Sequence, residues 1–173
     1  MPNVGADSSL FVTIDADNTD STRLIVDTAT FAEGAQIGVD VEGLIDFETF
    51  TQTRNYVIVD ANTLDAGDLD DSLLTLSPYI YDISTDADEA TDTVTLRVGR
   101  RAAEEIGFNA AQTAAYDAVY GALLEDEEIR NAVLAQTSRA GFLDLYNQLL
   151  PDQLEGLFSA LEMAQLSIGR AVA

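Results

Sequence analysis

The chain is expected to fold as an α+β protein, with its strands in the first part and its helices in the second. Three observations carry this. Up to Val98 the sequence is rich in Thr, Val, Ile and Asp and repeatedly alternates apolar with polar residues, the period of a half-buried strand. After Arg100 it is rich in Ala, Leu, Glu and Gln, and the apolar residues recur at helical spacing. The charge changes at the same place: residues 1–99 hold 20 acidic and 3 basic residues, residues 100–173 hold 11 and 5. Two domains are therefore expected, an acidic β-rich domain over 1–99 and a helical cap over 100–173.

In chain order, Leu10–Ile14 predicts a strand, followed by a polar turn from Asp15 to Ser21 and a second strand at Arg23–Val26. Glu33-Gly34 marks a turn. Ala35–Val41 then alternates cleanly, with Ile37, Val39 and Val41 on one face. Asn55–Asp60 is apolar on both faces, as a fully buried strand is. Leu73–Leu76, Pro78–Ile83 and Thr93–Val98 complete the expected strands, with a turn at Asp65–Asp68 before them. Such spacing suits an antiparallel β-sandwich or the closing coils of a β-solenoid. Periodicity does not choose between them, and the gap from Val41 to Asn55 is irregular.

In the helical part, Asn109 is placed to cap a helix, with Gln112 in the capping-box position and Phe108 before it. Tyr116, Val119, Tyr120 and Leu123 mark the apolar face of that helix. Glu125–Glu128 brings four carboxylates to the start of the next one, where the macrodipole favours negative charge. Thr137 or Ser138 can cap a further helix, on which Phe142, Leu145, Tyr146 and Leu149 fall at i, i+3, i+4 and i+7. Pro151 suits the first turn of yet another helix, whose stripe continues through Leu157, Phe158 and Leu161. These seven residues form the expected packing interface, buried against the helix of Asn109–Leu124 or the open end of the β-rich part.

Composition excludes several chemistries. All 8 basic residues are arginine, against 31 acidic ones, for a net charge of −23; there is no His, Lys, Cys or Trp. A Ser-His-Asp triad, a Cys nucleophile and a Lys Schiff base are thereby absent, and zinc would have only carboxylates to bind. The charge repels nucleic acid and anionic membranes alike. No apolar run approaches the roughly 18–20 residues of a spanning helix, so no direct membrane insertion is expected. No enzymatic activity and no cofactor are expected.

Three acidic clusters remain as candidates. Asp15, Asp17 and Asp20 lie at the alternate spacing a Ca²⁺ loop uses, but the position that needs glycine is Asp20 and the twelfth position is Val26. An ordinary solvated turn is the favoured reading, with an adventitious cation site behind it. Asp65, Asp68, Asp70 and Asp71 form the second cluster, and Asp82, Asp86, Asp88 and Glu89 the third. Paired carboxylates serve glycoside hydrolysis, yet no motif surrounds any pair. Charged loops that keep sheet edges soluble explain them better. Arg100-Arg101 is expected to mark the exit from the sheet, with both guanidiniums on carboxylates. Tyr116, Tyr120 and Tyr146 are expected in the core.

Leu10 to Gly43 (LFVTIDADNTDSTRLIVDTATFAEGAQIGVDVEG), Tyr56 to Leu64 (YVIVDANTL) and Thr93 to Arg100 (TVTLRVGR) resemble the last coils of the right-handed parallel β-helix in a bacterial autotransporter passenger, of the alphaproteobacterial type V kind. Gln136 to Leu161 (QTSRAGFLDLYNQLLPDQLEGLFSAL) resembles the helical segment between those coils and the translocator barrel. The resemblance implies a non-enzymatic structural module at the surface of a Gram-negative cell, or secreted from it. Its implied partners are the chain's own upstream passenger and a downstream β-barrel. No catalytic residue comes with it. The alternative is an acidic, adhesin-like binding module, Ca²⁺-dependent or forming a homodimer through its helices.

Overall fold

A computed structural model describes residues 3–6, 8–19, 23–47, 49 and 51–150. The chain is α+β. Its strands are β1 (Asn3–Val4), β2 (Ser9–Asp15), β3 (Leu24–Phe31), β4 (Gln36–Glu42), β5 (Thr53–Ala66), β6 (Tyr81–Asp88) and β7 (Thr93–Arg100), with a 3₁₀ helix at Asp71–Leu76. Four α-helices follow: α1 (Ala103–Ile106), α2 (Ala110–Glu125), α3 (Glu127–Leu134) and α4 (Arg139–Gln148).

The first five strands alternate between two sheets. β1, β3 and β5 lie parallel in one, and β2 and β4 lie parallel in the other. An antiparallel sandwich would not contain these pairs. Parallel neighbours need a crossover, and here each crossover is the strand of the opposite sheet. Asn3 stands beside Thr30 and Ser9 beside Gln36, so the first two passes are in register 27 residues apart in both sheets. This register stacks like on like: Leu10 on Ile37, Val12 on Val39, Ile14 on Val41. Ile14, Ile37, Val39 and Val41 are buried. On the outer face Phe11, 62% exposed, lies beside Gly38, where an added Cβ would run into its ring.

The third pass is longer. Asp15 stands beside Glu42 and Leu24 beside Val59. The register therefore advances 9 residues from β2 to β3 and 17 from β4 to β5. Most of the difference lies in β5 itself, which begins at Thr53, ahead of the level of Leu24, and Gly43, with φ of 84°, turns the chain out of β4 on the way.

The stack closes with a hairpin. β6 and β7 pair antiparallel, and β7 continues the larger sheet antiparallel to β5 across a bulge at Val57–Val59. The bulge fits the burial of both Ile58 and Val59, adjacent residues that an unbroken pleat would send to opposite faces. Asp92, at φ 56°, turns the hairpin, and its carboxylate accepts from Leu64 N at 2.7 Å.

Several predicted elements differ in the structure. Leu73–Leu76 is not a strand but the end of the 3₁₀ helix, because Asp70 caps it by accepting from Ser72 N at 2.8 Å. Gln36 also reaches the Asp70 carboxylate, at 3.1 Å, so the 3₁₀ helix covers the edge of β4. The strand expected from Pro78 begins at Tyr81, since a turn with Tyr81 N on Pro78 O comes first. β3 and β5 run longer than expected, and the turn expected at Asp65–Asp68 is confined to the residues after Ala66. Gly67 is required there: a Cβ would lie 2.7 Å from Glu33 N and 2.8 Å from Glu33 Cα.

β7 ends at Arg100 and α1 starts at Ala103. Asn109 and Gln112 exchange the expected pair of capping bonds, at 2.8 and 3.0 Å. Of the two proposed caps for α4, Ser138 is the one used, its Oγ accepting from Gly141 N at 3.2 Å. Pro151 and the helix expected beyond it lie outside the described residues.

Candidate functional site, a tyrosine-lined junction

Where the strands end and the helices begin, the long loop between β4 and β5 is the meeting point. Leu44, Ile45 and Phe47 are buried, so a connection that would ordinarily lie in water has become core. Its backbone groups then need partners, and tyrosines supply them. Ile45 N donates to Tyr81 Oη of β6 at 2.9 Å, and Tyr120 Oη of α2 donates to Ile45 O at 2.7 Å. The ring of Tyr120 also lies 6.3 Å from that of Phe47. One residue is thus held from the sheet on one side and from the helix on the other.

Arg54 of β5 clamps the same loop from behind. It donates to Asp46 O at 2.6 Å and to Ala16 O at 2.7 Å, tying together the exits of β2 and β4. A rigid planar fork suits two fixed carbonyls.

Arg100 and Arg101 divide the remaining work. Arg100 reaches from the end of β7 to Asp117 on α2 at 2.8 Å, with its own side chain only 7% exposed. Its guanidinium lies 4.3 Å from the ring centre of Tyr116 and 5.2 Å from that of Tyr120, within cation–π range. Arg101 does not meet a carboxylate among the described residues, contrary to expectation. It donates to the carbonyls of Tyr79 and Tyr81, both at 2.8 Å, and lies over the Tyr79 ring. The strand ends there expose carbonyls that no ladder satisfies, and they outcompete the acidic surface for it.

On the helical side the aromatic rings gather. Phe108 stacks on Tyr146 at 4.4 Å between centres and meets Tyr116 edge-on at 5.1 Å. Phe142 and Tyr146 are buried, whereas Leu145 and Leu149 are half-buried. Leu157, Phe158 and Leu161 lie outside the described residues. Tyr146 Oη donates to Gln112 O at 2.8 Å, and the buried Gln112 reaches Asn147 at 2.6 Å.

Burial makes these phenols weaker acids, raising their pKa values. It is the leading cause for Tyr81, Tyr116 and Tyr120, all driven well above the ordinary range, and it pushes Tyr146 up to about 12. Neutral phenols with their protons on carbonyls are hydrogen-bond ties. They offer neither a general base nor a nucleophile at neutral pH.

The acidic candidates are spread through turns. Asp15 accepts from Asp17 N at 2.9 Å, an Asx turn; Asp20 lies outside the described residues. No group of three potential metal-ligating side chains gathers among the described residues. In the second cluster Asp70 caps the 3₁₀ helix and Asp71 accepts from Thr85. Asp65 and Asp68 are exposed. In the third, Glu89 accepts from Ala66 N and Asp88 from Ala90 N, with Asp82 and Asp86 exposed. The second and third clusters lie near one another through these bonds, but no three of their carboxylates converge among the described residues.

Sequence reasoning missed the loop of Leu44–Phe47 and its clamp, Arg54. A signal was present: Leu44, Ile45 and Phe47 are too apolar for a solvated connection. Comparison of the chain with protein-family models, with curated proteins and with solved structures found no match.

Proposed function

We propose that this chain is a non-enzymatic structural module: the closing coils of a parallel β-solenoid, sealed by a hairpin and a helical cap. It would stand at the membrane-proximal end of an autotransporter passenger on a Gram-negative cell surface. One observation supports this above the rest. Successive strands β1 to β5 alternate between two sheets and stack in parallel, the first two passes at a 27-residue register with apolar residues above apolar ones. Such a stack grows one layer at a time, each coil burying its face on the previous one.

The two ends differ as the reading requires. At the closing end, β6, β7 and the helices cover the stack, fastened by Tyr81, Tyr120, Arg54 and Arg100. At the other end β2, seven residues long, pairs only with β4 among the described strands, and its outer edge suits a further parallel strand. The mechanism is templating: a coil sealed at one end offers its open edge to the chain that precedes it.

The test is made in cells. A passenger carrying this segment ahead of its translocator barrel is displayed, and surface protease is applied. With the Tyr81→Phe/Tyr120→Phe pair, the passenger is expected to reach the surface but to be digested at least several-fold faster. Protease resistance equal to that of the unaltered passenger, in both the paired variant and a deletion of residues 101–150, would remove the proposal.

A further inference from the structure

Besides the junction, one cleft has a composition at odds with the rest of the molecule. It encloses about 250 Å³. Arg101 and Arg139 line it together with Leu74, Thr75, Tyr79 and Thr137, and no carboxylate lines it. In a chain with 31 acidic and 8 basic residues, two arginines around a carboxylate-free cleft are a concentration of the scarcer charge.

Both guanidiniums are held in place by one part of the fork, and the rest remains available. Arg101 uses Nε and Nη2 on the carbonyls of Tyr79 and Tyr81, which leaves Nη1. Arg139 uses Nε on Ile106 O at 2.7 Å, which leaves both Nη atoms without a hydrogen-bond partner among the described residues. Neither arginine forms an ion pair with a carboxylate there. The cleft walls are also fixed to one another, since Tyr79 N donates to Gln136 O at 2.7 Å. This brings the turn bearing Thr137 and Arg139 against the segment bearing Tyr79.

From this arrangement we infer that the cleft binds a single small oxyanion, a carboxylate or a group of sulfate size, between Arg101 and Arg139, with the Thr137 hydroxyl as a further donor. The available groups are donors, and a guanidinium carries no acceptor, so the complement is an acceptor with negative charge. Planar forks match pairs of oxygens. The volume lies below the roughly 300–1,000 Å³ of pockets for drug-sized ligands, which limits the occupant to one group. The net charge of −23 disfavours a polyanion such as nucleic acid. The oxyanion has two sources: a free anion in solution, or a carboxylate of this chain's own residues 151–173, where Asp152, Glu155 and Glu162 stand.

The test titrates sodium sulfate into the full chain at constant ionic strength, following the arginine Nε–H and Thr137 amide resonances by NMR. Saturable shifts at Arg101, Arg139 and Thr137 are expected. Arg139→Gln is expected to weaken them about tenfold or more, the effect of losing a charge-assisted bond. Thr137→Val, which leaves both arginines and their carbonyl anchors intact, is expected to weaken them less. A triple variant, Asp152→Asn/Glu155→Gln/Glu162→Gln, separates the sources. Stronger sulfate binding in the triple variant assigns the site to the chain's own carboxylate, and unchanged binding assigns it to a free anion. No saturable shift in either the natural chain or the triple variant overturns the inference. So does equal binding by Arg139→Gln and Thr137→Val.

Discussion

Ile45 illustrates how a single residue decides whether two halves of a chain become one body. Its amide and carbonyl are both buried, and each has one partner, Tyr81 and Tyr120 respectively. Removing a hydroxyl therefore does more than delete a bond: it leaves a backbone group in the interior without a substitute. Tyr120→Phe is expected to cost about 1–3 kcal/mol, the desolvation penalty of a stranded carbonyl, measured by urea unfolding. Tyr79 offers the control, since its hydroxyl forms no hydrogen bond among the described residues. Tyr79→Phe is expected to stay within about 0.5 kcal/mol. Equal effects of the two substitutions would show that the tie to Ile45 is not what holds the helix to the loop.

At the scale of elements, the aromatic face of α4 is where stability should concentrate. Phe142 is 1% exposed and touches Tyr79, Phe108 and Tyr146, so Phe142→Ala opens a cavity and is expected to cost about 3–5 kcal/mol. Phe11, equally aromatic, lies 62% exposed over Gly38. Phe11→Ala is expected to cost under about 1 kcal/mol, the scale of a cross-strand pair. Paired thermal melts check the contrast, and similar losses would contradict the packing. The elements also show what could be read in the sequence. β2, β4 and β7 were legible because one face of each is buried and the alternation follows directly. α2 was legible from Asn109, Gln112 and its tyrosines. Leu73–Leu76 misled because four residues are too few to separate a strand from a 3₁₀ turn, and the cap from Asp70, itself held by Gln36 of β4, lies outside those four. The Leu44–Phe47 loop was missed because its partners Tyr81 and Tyr120 lie 36 and 75 residues away from Ile45, and local pattern carries no such information. Pairing direction was equally hidden: parallel and antiparallel strands share the same alternation.

The whole molecule has an unusual titration, because composition has removed the competing groups. With no lysine, cysteine or histidine, tyrosine is the only side chain whose ordinary pKa, about 10, falls between roughly pH 7 and 12. Five tyrosines, at 56, 81, 116, 120 and 146, have theirs raised, in each case chiefly by burial. The sign follows from proton counting. Below about pH 10 both states hold their phenolic protons, and these groups leave stability independent of pH. Above it the unfolded chain releases protons that the folded chain retains, so the unfolded state binds fewer and stability falls as pH rises. Tyr81, Tyr116 and Tyr120 alone give a slope of about 4 kcal/mol per pH unit. Against a typical domain stability of about 5–15 kcal/mol, that places unfolding at least roughly one unit above pH 10. The expected outcome is one cooperative alkaline transition, with phenolate absorbance near 295 nm and loss of far-UV ellipticity moving together. The junction tyrosines then ionise only when the sheets and helices come apart. A gradual phenolate titration centred near pH 10, with the ellipticity intact, would mean that water already reaches those rings and that the junction is not the sealed contact described.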